Sequence, residues 1–88
     1  IFRGKIIMIT GKFLHGSTDD IVGILKSYNA EVTLHFSDIV DCILVGSAHE
    51  DIDSISIQKA KKLDIPIYEE YSFFEDYDID RDLKTSLG

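Results

Sequence analysis

The chain has 88 residues, 44% of them hydrophobic, and a formal net charge of −7 at pH 7. This length is enough for one small domain with its own core, and no apolar run approaches the roughly 20 residues that a membrane helix needs. The excess of acidic residues is the opposite of what a domain bound to nucleic acid through phosphate contacts usually carries, so it argues against non-specific DNA binding.

The first part of the chain predicts a strand, a helix and a second strand. The continuous apolar run over residues 5–10 is typical of a strand buried on both faces, and Gly11 ends it. A loop over 12–16 follows, and Ser17 or Thr18 offers a helix N-cap. Asn29 is a suitable left-handed stop for this helix, whose apolar face is formed by Ile21, Ile24, Leu25 and Tyr28. A half-buried strand is predicted next from the alternating Val32, Leu34 and Phe36.

The second part predicts a strand, a helix, an edge strand and a last short helix. The apolar run 42–45 is a strand closed by Gly46, and residues 54–63 are helical, with apolar residues at spacings of three, Ile57, Ala60 and Leu63. Pro66 lacks a backbone N–H, which places the strand 65–68 at a sheet edge. The last helix is predicted from four aromatic residues, Tyr71, Phe73, Phe74 and Tyr77. The order β-α-β-β-α-β-α indicates a mainly parallel sheet covered on both faces.

Several motifs in this order resemble one known family. They are the opening Phe2-x-Gly4-Lys5, the strand end Ile9-Thr10-Gly11, the run Asp41-Cys42-Ile43-Leu44-Val45-Gly46, the segment Gln58-Lys59-Ala60, and Ile65-Pro66-Ile67-Tyr68. The chain resembles the BRCT family from about Phe2 to Tyr77, and is similar in particular to the subtype in the large subunit of replication factor C and in NAD-dependent DNA ligases. The resemblance implies an α/β fold with a four-stranded parallel sheet in the order 2-1-3-4, flanked by three helices. The first and third helices would pack on one face and the second on the other.

The sequence departs from the BRCT pattern at two points. Asn29-Ala30 stands where these domains commonly have a Gly-Gly turn, and the chain has no tryptophan for the last helix, so Phe73 or Phe74 would fill that core position. We expect one BRCT-like domain over residues 1–80 and a C-terminal tail over 81–88. The chain begins at Ile1 without a methionine, so we expect it to be a piece of a longer protein.

The resemblance also implies a phosphate-binding pocket formed by Thr10, Gly11 and Lys59, with Lys12, Lys61 and Lys62 as additional candidates. A hydroxyl and a backbone N–H donate hydrogen bonds to a phosphate, and an ammonium group adds charge. The alternative is structural: Thr10-Gly11 ends a strand and the lysines form an ordinary solvated face. Both interpretations stay open on the sequence alone.

The function implied is a non-catalytic protein-interaction module of a larger nuclear protein of DNA replication, repair or chromatin. Its partner would be a phosphorylated peptide or a protein surface without phosphate, and tandem BRCT or dimer packing through the helices is a further expectation. The alternative is binding of 5′-phosphorylated DNA ends, which the net charge and the acidic Asp19-Asp20 beside the first helix disfavour. A purely structural role, with the helices packed against a neighbouring domain, is a third.

No catalytic motif, cofactor site or metal site is expected. The three histidines, His15, His35 and His49, have no companion cysteines at metal-ligand spacing. Cys42 lies in an apolar run, where a thiol is normally inert, and a single cysteine fits a reducing compartment. The acidic run from Glu69 to Asp82 is either a docking surface for a basic partner or a solvated face.

Overall fold

The computed structural model describes residues 3–48 and 50–76. Four strands and three helices follow one another as β1 (Ile6–Thr10), α1 (Thr18–Ser27), β2 (Glu31–Thr33), β3 (Cys42–Val45), α2 (Ser54–Lys62), β4 (Ile67–Glu69) and α3 (Glu70–Asp76). The strands form one parallel sheet in the order β2-β1-β3-β4, which confirms the predicted α/β fold and strand order. The predictions for Phe2, His49, the tail 81–88 and the other positions from Tyr77 onward lie outside the described residues.

The side chains of β1 alternate between two cores, one on each face of the sheet. Ile7 and Ile9 belong to the larger core, which α1 and α3 cover with Ile21, Leu25, Phe73 and Phe74. Met8 points to the opposite face, where it packs with Ile43 of β3 and Ala60 of α2. Full burial of one large apolar side chain contributes about 1.5–3 kcal/mol to stability. Because β1 lies between β2 and β3 and buries side chains in both cores, it is the central strand of the fold. None of the described helices has the length and apolar character needed to cross a membrane.

Helix α1 is closed at both ends by local hydrogen bonds. Ser17 caps α1, and its side chain and that of Asp20 exchange bonds with each other's backbone N–H groups in a capping box. At the other end Asn29 takes a φ of 68°, and the Ala30 N–H donates to the Leu25 carbonyl at 3.2 Å. Asparagine tolerates this left-handed conformation, so Asn29 ends the helix as the sequence predicted.

Phe73 and Phe74 both occupy the core, as the sequence predicted for one of them. Both are fully buried, at 1% and 0% exposure, and both belong to the larger core. Phe73 also lies 5.7 Å from Tyr68 between ring centroids. Tyr71, by contrast, is 55% exposed, so the four aromatic residues predicted for this helix do not share one buried face.

Leu34 and Leu63 differ from the sequence prediction. Strand β2 ends at Thr33, because the Thr33 hydroxyl accepts the His35 N–H at 3.1 Å and turns the chain out of the sheet. Leu34 is therefore 54% exposed instead of half-buried. Leu63 is also 54% exposed, because it is the C-cap of α2 and lies beyond the packed face. Phe13 lies in the predicted loop, and its side chain is buried in the larger core, which the sequence did not indicate.

Gly46 allows the closest backbone approach among the described glycines. A Cβ at this position would lie 2.3 Å from the carbonyl oxygen of Lys12, which is backbone and has no rotamer by which to move away. Gly23, in the middle of α1, has nothing within 4 Å of the corresponding position. Replacement by alanine should therefore change the free energy of unfolding in opposite directions at these two positions.

We expect Gly46→Ala to lower the free energy of unfolding by about 2 kcal/mol or more, because the loops after β1 and β3 would have to separate. Gly23→Ala, the matched control, should raise it by about 1 kcal/mol through helix propensity alone. Urea denaturation followed by circular dichroism measures both. Equal effects of the two substitutions would contradict the close approach seen here.

Candidate binding site at the carboxyl edge of the sheet

The chain reverses its winding direction between β1 and β3. These strands are neighbours in the sheet, yet β1 continues into α1 on one face and β3 into α2 on the other. In open parallel sheets, the connections that diverge at such a point leave a crevice at the carboxyl ends of the strands, and ligands bind there. The candidate site is therefore formed by the β1–α1 loop (residues 11–17) and the described part of the β3–α2 loop (residues 46–48 and 50–53).

The two loops run side by side before they diverge. The Gly46 N–H donates to the Thr10 carbonyl at 2.9 Å, and the Ala48 N–H donates to the Lys12 carbonyl at 3.1 Å. In the reverse direction, the Lys12 N–H donates to the Glu50 carbonyl at 2.8 Å. The first two bonds continue the parallel pairing of β1 and β3 beyond the strands, and the third holds the returning β3–α2 loop against Lys12.

A depression of about 490 Å³ opens beside this pairing, and the structure brings Thr10, Gly11 and Lys12 together there. Thr10 is 8% exposed, and its Oγ1 accepts the Asp53 N–H at 2.8 Å. Gly11 has a φ of 82°, in the region that favours glycine. The other lining residues are Ile9, Thr18, Leu34, Asp51 and Asp53. We refer to this feature as the Thr10 depression.

The lysines of α2 are not among the residues that line the Thr10 depression. Lys59 is exposed. Its charge makes the smallest of several contributions to the pKa of Asp53, the N-cap of α2. Lys61 and Lys62 are exposed in the last turn of α2. Lys12 does line the depression and lies 3.6 Å from the Glu50 carboxylate, an exposed pair of the kind that contributes little to stability.

The charges around the Thr10 depression are predominantly negative. Asp53 accepts hydrogen bonds from the Ser56 hydroxyl at 2.7 Å and the Ser56 N–H at 3.1 Å, and these bonds lower the pKa of its carboxyl group. Asp51 is the second carboxylate, and Lys12 is the one ammonium group among the described lining residues. A bound phosphate would therefore meet more like charge than opposite charge.

Among the acidic residues of the C-terminal run, Glu70 lies in a different environment from the one predicted. It was grouped with the acidic run as a docking surface or a solvated face, but its side chain is fully buried. Its carboxylate accepts the N–H groups of Leu14 at 2.9 Å, His15 at 2.6 Å and Ser47 at 2.8 Å. Burial alone would raise the pKa of Glu70, but the hydrogen bonds from Ser47, Leu14 and His15 outweigh burial and lower it.

The His15 ring completes the environment of Glu70. Its Nδ1 contacts the Glu70 carboxylate, and the ring packs edge-on against Tyr71 and Phe74 with centroid distances of 4.9 and 4.5 Å. His15 therefore joins the β1–α1 loop to α3. The sequence signal for this pair was weak, since it consists of one acid at the start of the last helix and one histidine more than fifty positions earlier.

Replacing the buried carboxylate should destabilise the domain strongly. We expect Glu70→Gln to lower the free energy of unfolding by about 3 kcal/mol at neutral pH, because the amide nitrogen would face backbone N–H groups that need an acceptor. Glu75→Gln on the exposed surface of the same helix is the matched control and should change the free energy by less than about 0.5 kcal/mol. Chemical denaturation of the three proteins makes the comparison.

The same substitution should change the pH dependence of stability. Because the folded-state pKa of Glu70 lies below its usual value of 4.5, the ionised group stabilises the fold above that pH, and this contribution is lost as the pH falls through the folded-state pKa. The unsubstituted protein should therefore lose stability below about pH 4.5 more steeply than Glu70→Gln. If the free energy of unfolding falls equally steeply with decreasing pH in both proteins, the ionised form of Glu70 does not stabilise the fold.

Cys42 should be unreactive in the folded protein. Burial and the neighbouring Asp41 carboxylate raise the pKa of its thiol to about 11, so the nucleophilic thiolate is scarce at pH 8. We expect alkylation by iodoacetamide to be slower by about two orders of magnitude in the native than in the urea-unfolded protein. Mass spectrometry over time measures both rates, and equal rates would contradict this environment.

One curated protein is similar to this chain over most of its length. No protein-family profile matches it. A DNA ligase from Lactobacillus delbrueckii subsp. bulgaricus is 37% identical to it over 65 residues, which are 74% of this chain and 9% of the ligase. The chain thus spans a small part of that ligase. This similarity, together with the parallel sheet in the order 2-1-3-4, is compatible with the BRCT-like domain that the sequence resembles.

Proposed function

We propose that this chain is a BRCT-like, non-catalytic interaction module of a protein of DNA replication or repair. The observation that carries the proposal is the 37% identity to a DNA ligase over 74% of the chain, in a domain with the sheet order of the resembled family. The chain covers 9% of that ligase, so the ligase's own activity is not part of the proposal.

The chemistry of the described polar groups supports a binding role over a catalytic one. The Glu70 carboxylate is occupied by three backbone N–H groups and the His15 ring. Asp53 caps α2, and the thiol of Cys42 stays protonated at neutral pH. A general base or nucleophile needs an accessible group in its reactive form, and these groups do not meet that requirement.

A phosphorylated peptide is the first ligand to test at the Thr10 depression. Thr10 accepts one hydrogen bond from Asp53 and retains its own proton for donation, and Gly11 lets a ligand approach the backbone closely. Lys59 would have to turn from Asp53 toward Thr10 to add its charge. Asp51 and Asp53 oppose a phosphate, so a partner held by its peptide surface without phosphate is the second arm of the same proposal.

Binding of a 5′-phosphorylated DNA end is the alternative function, and the similarity to a DNA ligase favours it. The two carboxylates in the Thr10 depression and the net charge of −7 disfavour it, because both repel a duplex phosphate. The ligase is bacterial and bacteria have no nucleus, so the similarity supports a role in DNA metabolism without a nuclear or chromatin location.

The test is an NMR chemical-shift titration of the ¹⁵N-labelled chain with inorganic phosphate, a phosphoserine peptide pool, the same pool without phosphate, and a short 5′-phosphorylated duplex. The phosphopeptide proposal expects the Thr10, Gly11 and Lys59 amides to shift with the phosphorylated pool. Lys59→Met should weaken this response by about tenfold or more, because one charge-assisted hydrogen bond is lost.

Lys62→Met is the matched control, since Lys62 lies on the same helix and is equally exposed. If Lys59→Met and Lys62→Met weaken the response to the phosphorylated peptides equally, Lys59 makes no specific contact, and the lysines act only through their general positive charge. A response to the duplex alone would establish the DNA alternative. If both peptide pools act equally, the module binds without phosphate, and if no ligand shifts any amide at this edge, the proposed interaction site is wrong.

A further inference from the structure

A second groove lies on the other side of the β3–α2 loop. It has a volume of about 420 Å³ and is lined by Val45, Gly46, Ser47, Ile52, Glu69 and Tyr71. We propose that this groove, which we call the Tyr71 groove, binds an arginine side chain of a partner protein. The inference rests on the proposed interaction role and names the chemistry of one partner contact.

The apolar part of the Tyr71 groove suits the aliphatic stem of a long side chain. Val45 of β3 pairs in register with Glu69 of β4, so the two side chains are neighbours on one face of the sheet. Ile52 is fixed against the opposite loop, because a Cβ on Gly11 would lie 2.9 Å from its Cγ1. The stem would lie between Val45 and Ile52 and remove both from water.

The rim of the groove presents one negative charge and one aromatic face. Glu69 is exposed, no described ion pair involves it, and no described basic residue lines the groove. Tyr71 is 55% exposed, and its edge-on contact with His15 places the ring. A guanidinium group can pair with a carboxylate through two hydrogen bonds and stack on an aromatic ring at the same time.

The polar lining of the groove disfavours an anionic occupant. The Ser47 N–H, which would be the natural donor to a phosphate or carboxylate, already donates to Glu70 at 2.8 Å. An anion in the groove would therefore face the Glu69 carboxylate with only the neutral hydroxyl groups of Ser47 and Tyr71 as donors and no cation among the described lining residues to balance it. A purely apolar side chain would desolvate the Glu69 carboxylate without pairing it, which is unfavourable. Charge complementarity thus selects a cation, and the ring beside it selects arginine over lysine.

The test compares three short peptides that differ in one side chain, Ac-Gly-Arg-Gly-NH₂ and its lysine and norleucine counterparts, in ¹⁵N NMR titrations. We expect the arginine peptide to shift the amides of Val45–Ser47 and Glu69–Tyr71, and to bind more tightly than the other two. Glu69→Gln should weaken binding of the arginine peptide about fivefold, as the loss of roughly 1 kcal/mol of ion pairing would do.

Two further variants separate the roles of charge and ring. Tyr71→Leu keeps an apolar wall and removes the aromatic face, so it should reduce the preference for arginine over lysine. Glu75→Gln removes an equivalent charge that does not line the groove, and should leave binding unchanged.

Equal binding of the norleucine and arginine peptides, or equal losses in Glu69→Gln and Glu75→Gln, would overturn the proposal, as would the absence of any shift in the groove. The amides of Thr10, Gly11 and Lys59 report on the proposed function separately. A partner that shifts those amides while the groove stays silent would leave the interaction role standing and remove this inference.

Discussion

The carboxyl edge of this domain depends on one buried carboxylate. Glu70 lies at the first position of α3 and accepts hydrogen bonds from Leu14 and His15 of one loop and from Ser47 of another. A buried charge is tolerated only when several donors replace its water, and here the backbone supplies them. The consequence is mechanical, since one side chain joins the β1–α1 loop, the β3–α2 loop and α3.

The two candidate binding surfaces share a single wall. The β3–α2 loop separates the Thr10 depression from the Tyr71 groove, and its residue Ile52 contacts Gly11 on one side and lines the groove on the other. Gly46 sets the distance between this loop and Lys12, and the Asp53 N–H anchors the loop's end to Thr10. A substitution that moves the loop would therefore change both surfaces together.

The sequence predicted the elements whose signals are local, because continuous apolar runs, helix caps and the left-handed Asn29 each depend on a few neighbouring residues. It also predicted the strand order, through resemblance to a family. It missed what depends on distant partners. Phe13 is buried because α1 and the sheet close over its loop, and Glu70 is buried because Leu14 and Ser47 are brought to it. Neither contact is marked by a hydrophobic periodicity in the sequence.

The carboxylates at the carboxyl edge of the sheet have different roles, which the net charge of the chain does not distinguish. Glu70 is enclosed by donors, and Asp53 caps α2, so both are already used by the fold. Glu69 and Asp51 are exposed, and no described hydrogen bond or ion pair involves either side chain. The net charge of −7 therefore disfavours a polyanionic partner but does not show which carboxylates at this edge are open to a ligand. At the carboxyl edge, the carboxylates of Glu69 and Asp51 are accessible, and a cationic group is what their charge would attract.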